Sequence, residues 1–176
     1  MRVFTCWEGG ALRGGSDLQE LDHILVVQAN LASSYVAFGR LEEALSLERD
    51  AYAGRLELHG KEDERTLTAA SNYVASLNSL QRFEESKSLL RKTMPVARRV
   101  LSENQELTLR MRWIYAKVLR DDEGATRDDL REAVTTLEDT ARTAQRVFGG
   151  AHPMVVDLER SLRESRAALS ARGGTG

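Results

Sequence analysis

Cationic and aromatic residues recur at helical spacing on one stretch of the chain. Arg110, Trp113, Lys117 and Arg120 are separated by three or four residues, which places them on one face of a helix. Two or three cations around an indole suit an acidic peptide that carries an aromatic or aliphatic anchor, and tryptophan and arginine are enriched at interface hot spots. The alternative is that Trp113 packs into the core and the cations are solvated surface. The pattern therefore indicates a candidate binding face for a protein partner.

The sequence offers no pattern for catalysis or for binding a metal. The three histidines, His23, His59 and His152, are far apart, and each lies near an expected helix end or loop. The acidic stretch 121–129 lacks the alternating ligand spacing of a calcium loop. No phosphate-binding loop, nucleophile elbow or zinc-protease motif occurs, and Cys6, the sole cysteine, has no partnered base. We therefore predict a protein that is not an enzyme and that uses no metal or cofactor.

Composition and charge describe a globular chain that favours neither nucleic acid nor membranes. The 176 residues are 41% hydrophobic and 30% charged. The net charge of −2 shows no excess of basic residues of the kind that binds nucleic acid. No apolar run approaches the ~20 residues that span a bilayer, and the polar, glycine-rich start lacks a signal-peptide core. We therefore expect a cytoplasmic location.

A spacing of 42 residues organises the chain. Asn30 matches Asn72 at this offset, and the segment 41–44 recurs at 130–133, where the loop 121–129 carries 5 extra residues. Three leucines follow the same offset: Leu25, Leu67 and Leu109. A fixed period of this length is typical of stacked helical hairpins, in which neighbouring units bury each other's apolar faces.

Apolar spacing and capping residues predict seven helices. The expected bounds are about 17–38, 41–58, 64–80, 83–101, 106–120, 126–148 and 153–171. Ser16 with Gln19, and Thr126 with Asp129, have the spacing of a capping box. Gly39 is expected to end the first helix because glycine accepts the left-handed geometry of a C-terminal cap. The last helix has one polar face, which suits the solvent-facing end of a solenoid.

The string ANLASSYVAFGRLEEAL, residues 29–45, resembles the tetratricopeptide pattern. The family positions are Asn30-Leu31-Ala32, Tyr35, Gly39, Leu41 and Ala44. The ordinary repeat has 34 residues, whereas a 42-residue version with longer helices is typical of kinesin light chains. The linker 148–153 (FGGAHP) is similar to the linker of that version, while 60–67 keeps its ends but lacks His-Pro. The resemblance covers about 21–169 and implies an all-α, right-handed helical-hairpin solenoid.

The expected organisation is about three repeats and a C-terminal capping helix. The predicted segments are a flexible leader 1–16, a repeat domain 17–171 with repeats at about 21–62, 63–104 and 105–151, a capping helix 153–171 and a flexible tail 172–176.

The resemblance also implies a concave groove, lined by the first helix of each hairpin, that holds a peptide. Asn30 and Asn72 fall at the position whose amide binds the ligand backbone, since an amide both donates and accepts. The third counterpart is Ile114, and Ser33 and Asn78 occupy neighbouring groove positions. The alternative is that Asn30 and Asn72 only bond a neighbouring helix.

These observations predict an interaction scaffold or adaptor that binds a peptide segment of a partner protein. The predicted peptide-binding residues are Asn30, Ser33, Asn72, Asn78, Arg110, Trp113, Lys117 and Arg120. The expected partner is acidic with a hydrophobic anchor, and neither nucleic acid nor a membrane is expected to bind. The alternative is a structural or self-associating array, whose groove is filled by its own leader or by a second copy.

Overall fold

The computed structural model describes residues 15–172, with side chains from residue 18 onward. Every regular element in this range is a helix, and the fold is an all-α helical-repeat solenoid, as predicted. Most of the predicted leader and tail, residues 1–14 and 173–176, lies outside the described residues. The helices are α1 (Gly15–Ala37), α2 (Leu41–His59), α3 (Glu64–Ser79), α4 (Phe83–Leu101), α5 (Glu106–Asp121), α6 (Arg127–Phe148) and α7 (Pro153–Ala171).

Helix starts follow the capping chemistry of the sequence at three of the linkers. The predicted box before α6 is present, because the Asp129 amide donates to Thr126 Oγ1 at 3.1 Å and the Thr126 amide donates to Asp129 Oδ2 at 2.7 Å. Asp63 accepts from the first turn of α3, and His152 accepts from the first turn of α7. The predicted box at the first helix is wrong, because α1 begins at Gly15 and Ser16 is already helical.

The helix ends use left-handed backbone at equivalent places in successive repeats. Gly39, Gly60 and Gly149 have φ of 73°, 79° and 83°. In the second repeat the positions of Gly39 and Gly60 are taken by Gln81 and Ser102, which nevertheless keep positive φ of 59° and 73°. Because side chains disfavour this geometry, the second repeat carries backbone strain that glycine removes elsewhere.

The packing order determines which helices face the groove. Each helix packs on the next one in the chain, and α5 also packs directly on α3 and on α7. The second helices of the hairpins, α2, α4 and α6, make no comparable contacts with each other in the described residues. Since first helices converge and second helices diverge, the array curves with its first helices on the concave side.

Two hydrophobic clusters hold the hairpins together. One cluster joins the second and third repeats and contains Leu67, Val74, Leu90, Ala97, Met111, Ile114 and Val118. The C-terminal cluster joins α5, α6 and α7 and contains Leu109, Ala116, Leu119, Ala133, Leu137, Ala144, Met154, Val155 and Leu158. The core therefore runs along the array as a chain of local clusters, as stacked repeats require.

Candidate peptide-binding groove

The predicted site residues all lie on the first helices of the hairpins. Asn30 and Ser33 lie on α1, Asn72 and Asn78 on α3, and Arg110, Trp113, Lys117 and Arg120 on α5. Because α3 and α5 pack directly on each other, the structure brings their residues together across one junction.

A hydrogen bond crosses the α3–α5 junction. One guanidinium nitrogen of Arg110 donates to Asn72 Oδ1 at 3.2 Å, and both side chains are half-buried. The bond occupies the acceptor of the Asn72 amide and leaves its NH₂ group as a donor. Asn72 therefore bonds a neighbouring helix, as one of the two interpretations of this residue expected. Its NH₂ group can still donate a hydrogen bond to a ligand.

Asn30 is placed differently from Asn72, although the two match in the repeat. Asn30 is exposed on α1, and its side chain forms no hydrogen bond to any of the residues that the structure describes. The nearby Ser33 is also exposed, and its hydroxyl donates to the Ala29 carbonyl oxygen one turn earlier at 3.1 Å. The α1 end of the groove is thus polar but has no organised cross-helix contact at these residues.

Asn78 lies half-buried near the end of α3. Its Oδ1 is buried and has no hydrogen-bond partner among the described residues. A buried amide oxygen without a partner costs about 1–3 kcal/mol, unless a group absent from the isolated chain donates to it.

The cationic residues of α5 separate into two kinds. Arg120 forms ion pairs with two carboxylates, at nitrogen–oxygen distances of 2.7 Å to Asp121 and 2.6 Å to Glu164. Arg110 and Lys117 are half-buried, and neither pairs with a carboxylate within the described part of the chain. Arg110 and Lys117 therefore have no direct ion pair in that part of the chain, although the charge of Arg110 also acts on the buried Glu48 of α2.

Trp113 is anchored to the last helix. Its indole N–H donates to Ser161 Oγ at 2.8 Å, and its ring packs half-buried against the C-terminal cluster. Lys117 Nζ lies 5.9 Å from the centre of the ring, within reach of a cation–π contact. The indole thus has a packing role, as the alternative interpretation expected, while its partial exposure leaves ring surface beside Lys117.

A buried carboxylate behind the groove was not predicted. Glu48 of α2 is only 4% exposed, and its Oε2 has no hydrogen-bond partner in the described residues. Burial raises the pKa of Glu48 to about 7, although the charges of Arg110 and Arg55 act to lower it. The repeat offers a signal for this residue, because Leu90 and Leu137 stand at its place in the next two units.

Arg55, about two helical turns further along α2, was also missed. It is 7% exposed where the later units have Ala97 and Ala144, and its Nη1 donates to the Arg65 carbonyl oxygen at 3.1 Å. The first repeat therefore has a polar interior at two positions where the other repeats are apolar.

Two shallow clefts lie away from the groove. One, of about 220 Å³, lies between α2, α3 and α4 and is lined by residues that include Tyr52, Leu56, Lys61 and Lys92. The other, of about 300 Å³, lies at the α3–α4 turn beside Asp122. The second cleft is lined mainly by charged residues, of which Arg82 pairs with Glu85 at 2.6 Å and Asp122 pairs with Lys87.

Two of the three histidines, His59 and His152, have local structural contacts, whereas His23 is exposed on α1. His59 Nε2 and Asp22 Oδ1 are 3.0 Å apart, which ties α2 to α1, and His152 caps α7. No group of three metal-binding side chains occurs among the described residues. None of the described helices is long and apolar enough to cross a bilayer.

Comparison with known proteins identifies the repeats. The profile of the tetratricopeptide repeat family matches residues 25–64 and 66–106. These two segments are similar to tetratricopeptide repeats, as the sequence resemblance predicted. No curated protein matches the chain.

Two solved structures share the fold of this chain. Both are crystal structures of a candidate kinesin light chain from Podosopora anserina with nearly identical TPR-like repeats, and each has 17% sequence identity to this chain. One of them, a form with a single substitution, has a TM-score of 0.66 over 90% of this chain and 79% of its own. The other has a TM-score of 0.64 over 90% of this chain and 80% of its own.

The match to tetratricopeptide repeats suggests a protein-interaction scaffold. Tetratricopeptide arrays are protein-interaction scaffolds and are typically non-enzymatic. This agrees with the broad functional prediction from the sequence, while the choice of peptide and of binding residues stays a prediction.

Proposed function

We propose that the concave junction of α3 and α5 binds an acidic, extended peptide segment of a partner protein. The observation that carries this proposal is the state of Arg110 and Lys117, which are half-buried on one helix face without a carboxylate partner among the described residues. Cations in a partly desolvated groove attract a peptide carboxylate more strongly than cations in bulk water.

The spacing of the two cations sets the spacing of the acids. Arg110 and Lys117 are seven residues apart, and a helix rises ~1.5 Å per residue, so their backbone positions lie ~10 Å apart along α5. An extended peptide covers ~10 Å in three residues. The preferred ligand therefore carries two acidic residues three positions apart.

Asn72 and Trp113 complete the recognition. The free NH₂ group of Asn72 donates to a peptide carbonyl, while its bond to Arg110 fixes the orientation of both side chains. The exposed part of the Trp113 ring accepts an aliphatic or aromatic side chain of the peptide, because its N–H is already used by Ser161.

A charge-swap experiment tests this function. Two short fluorescent peptides would share a hydrophobic anchor and differ only in two residues three positions apart, which are Glu in one and Lys in the other. We expect the native chain to bind the Glu peptide at least about tenfold more tightly, and the Arg110→Glu, Lys117→Glu variant to reverse this preference. The single Lys117→Glu variant, which leaves the bond to Asn72 intact, should lose part of the preference.

The matched control reverses two cations on the outer side of the array. Arg131 and Arg142 of α6 are exposed, so Arg131→Glu, Arg142→Glu makes the same change in net charge away from the groove. The control should keep the native preference, and helicity by circular dichroism should be the same for all variants. Equal preferences of the groove variant and the control would overturn the proposed site.

The expected cytoplasmic location stays a prediction.

A further inference from the structure

The first helix presents an apolar face that no described residue covers. Ile24 is 46% exposed, Val27 63% and Leu31 42%. These three residues, here called the α1 face, are spaced three and four positions apart and so lie together on the helix. No charged residue occurs from Ile24 to Phe38, although much of that segment is exposed on the first helix that the structure describes.

The repeat register shows what covers this face in the other hairpins. Ile24 corresponds to Thr66 and Thr108, which are each 1% exposed. Thr66 donates to the Arg55 carbonyl oxygen of α2 at 3.1 Å. The position of Ile24 is therefore covered by the second helix of the preceding hairpin in the interior of the array.

The other two positions behave in the same way. Val27 corresponds to Ala69 and Met111, which are 3% and 0% exposed. Leu31 corresponds to Tyr73, whose ring stacks on Tyr52 of α2 at a centroid distance of 6.2 Å. The α1 face thus continues the series of interfaces that α2 forms with α3, α4 with α5, and α6 with α7.

We propose that the α1 face docks an amphipathic helix of a partner protein, seated as the second helix of a preceding hairpin would be. The occupant presents an uncharged apolar stripe at helical spacing, because a charged side chain would be buried against a segment that holds no opposite charge. A second copy of this chain has no free second helix among its described residues to seat there; its own α1 would instead meet this face, and light scattering tests that arrangement. Each of α2, α4 and α6 is already packed between two first helices.

The helix α4 supplies a defined probe, because it covers the equivalent face of α5. Its Lys87 contacts Asp122, and the equivalent place at the end of α1 is Phe38. The probe is a fluorescent peptide with the sequence of residues 83–101. Its Lys87 is replaced by Leu, because on α1 the lysine would meet Phe38 and not an aspartate, and Leu45 occupies the same place in α2. A control peptide carries Leu90→Glu in addition, which places a charge in the apolar stripe.

Fluorescence anisotropy would measure binding of both peptides to three forms of the protein. These are the native chain, Val27→Asp on the α1 face, and the matched Val156→Asp on α7, where Val156 is 51% exposed at the opposite end. We expect saturable binding of the first peptide to the native chain and to Val156→Asp. Val27→Asp and the Leu90→Glu peptide should each weaken binding at least about tenfold.

Every other result would overturn the proposal. No binding to the native chain, or equal binding by Val27→Asp, would show that the α1 face takes no such helix. A native dimer in light scattering that Val27→Asp converts to a monomer would assign the face to a second copy. The groove on α3 and α5 is a separate surface, so these results do not bear on acidic-peptide binding.

Discussion

The two ends of the solenoid differ in the surface that they leave uncovered. At the N-terminal end, the side of α1 where a preceding helix would pack carries Ile24, Val27 and Leu31. At the C-terminal end, the side of α7 where a following helix would pack carries Val156 together with charged residues. These exposed charged residues are Glu159, Arg163 and Arg166, which correspond in the register to Arg112, Ala116 and Leu119 of α5.

This difference separates an apolar exposed side on α1 from a largely polar exposed side on α7. The role of α7 as a capping helix stays a prediction. The first repeat combines the uncovered α1 face with the buried polar side chains of Glu48 and Arg55. In a linear array, each repeat is stabilised by its own interior and by its neighbours. The first repeat therefore should be the less stable end.

The largest expected effect compares core leucines at the two ends. Leu25 and Leu109 are equivalent, and both are fully buried. We expect Leu109→Ala to lower the free energy of unfolding by about 3–5 kcal/mol and Leu25→Ala by about 2–3 kcal/mol, because α1 has less structure around it to leave a rigid cavity. Urea unfolding, followed by circular dichroism, would measure both; a larger loss at Leu25 would contradict the order of stability.

The buried Glu48 should make the first repeat sensitive to pH. Its pKa rises from 4.5 when unfolded to about 7 when folded, so the folded state holds the proton more tightly. Stability from this group is therefore greatest below the unfolded pKa and falls by about 2–3 kcal/mol as the pH rises through the folded pKa. Urea unfolding at about pH 5 and about pH 8 should show this loss.

Two substitutions isolate the Glu48 effect. Glu48→Gln should remove most of the difference between the two pH values, and Glu48→Leu should make the first repeat resemble the others and raise stability at the higher pH. A difference that persists unchanged in Glu48→Gln would assign it to other groups.

Backbone strain in the middle repeat gives a smaller effect. Ser102 has φ 73° and ψ 159°, a region that is essentially restricted to glycine, and Gly60 occupies the equivalent place. We expect Ser102→Gly to stabilise the chain by about 1 kcal/mol and Gly60→Ala to destabilise it by about 1–2 kcal/mol. Thermal unfolding of both variants would check the opposite signs, and equal signs would refute the strain.

The smallest effect is expected at the polar end. Glu159 is exposed on the uncovered side of α7, and no ion pair within the described residues involves it. Glu159→Ala should change the free energy of unfolding by less than about 0.5 kcal/mol. A loss above about 1 kcal/mol in urea unfolding would show that Glu159 makes a stabilising contact and would contradict this expectation.

The sequence predicted the helices well because their signals are local. Glycines, capping residues and apolar spacing placed every helix boundary within two residues of the observed one. The capping box predicted at Ser16 is the exception, because α1 already includes Gly15 and Ser16, so that the spacing of the box alone did not place the start of the helix.

The interior of the first repeat was harder to predict. The 42-residue repeat was recognised from residues that are identical between the units. Glu48 and Arg55 differ from their counterparts, so a search for identities passes over them. The contacts of Trp113 with Ser161 and of Arg110 with Asn72 join residues 48 and 38 positions apart, so no local pattern contains them. Which groove residues bind a ligand depends on a partner that the sequence does not encode.

Backbone and side-chain amide NMR during titration with the Glu peptide would test the central proposal most directly. The account predicts that the largest shifts fall on Arg110, Lys117 and the side-chain NH₂ of Asn72, with small shifts on α6 and α7. Shifts concentrated in the cleft between α2 and α4, or on the α1 face, would contradict the proposed groove.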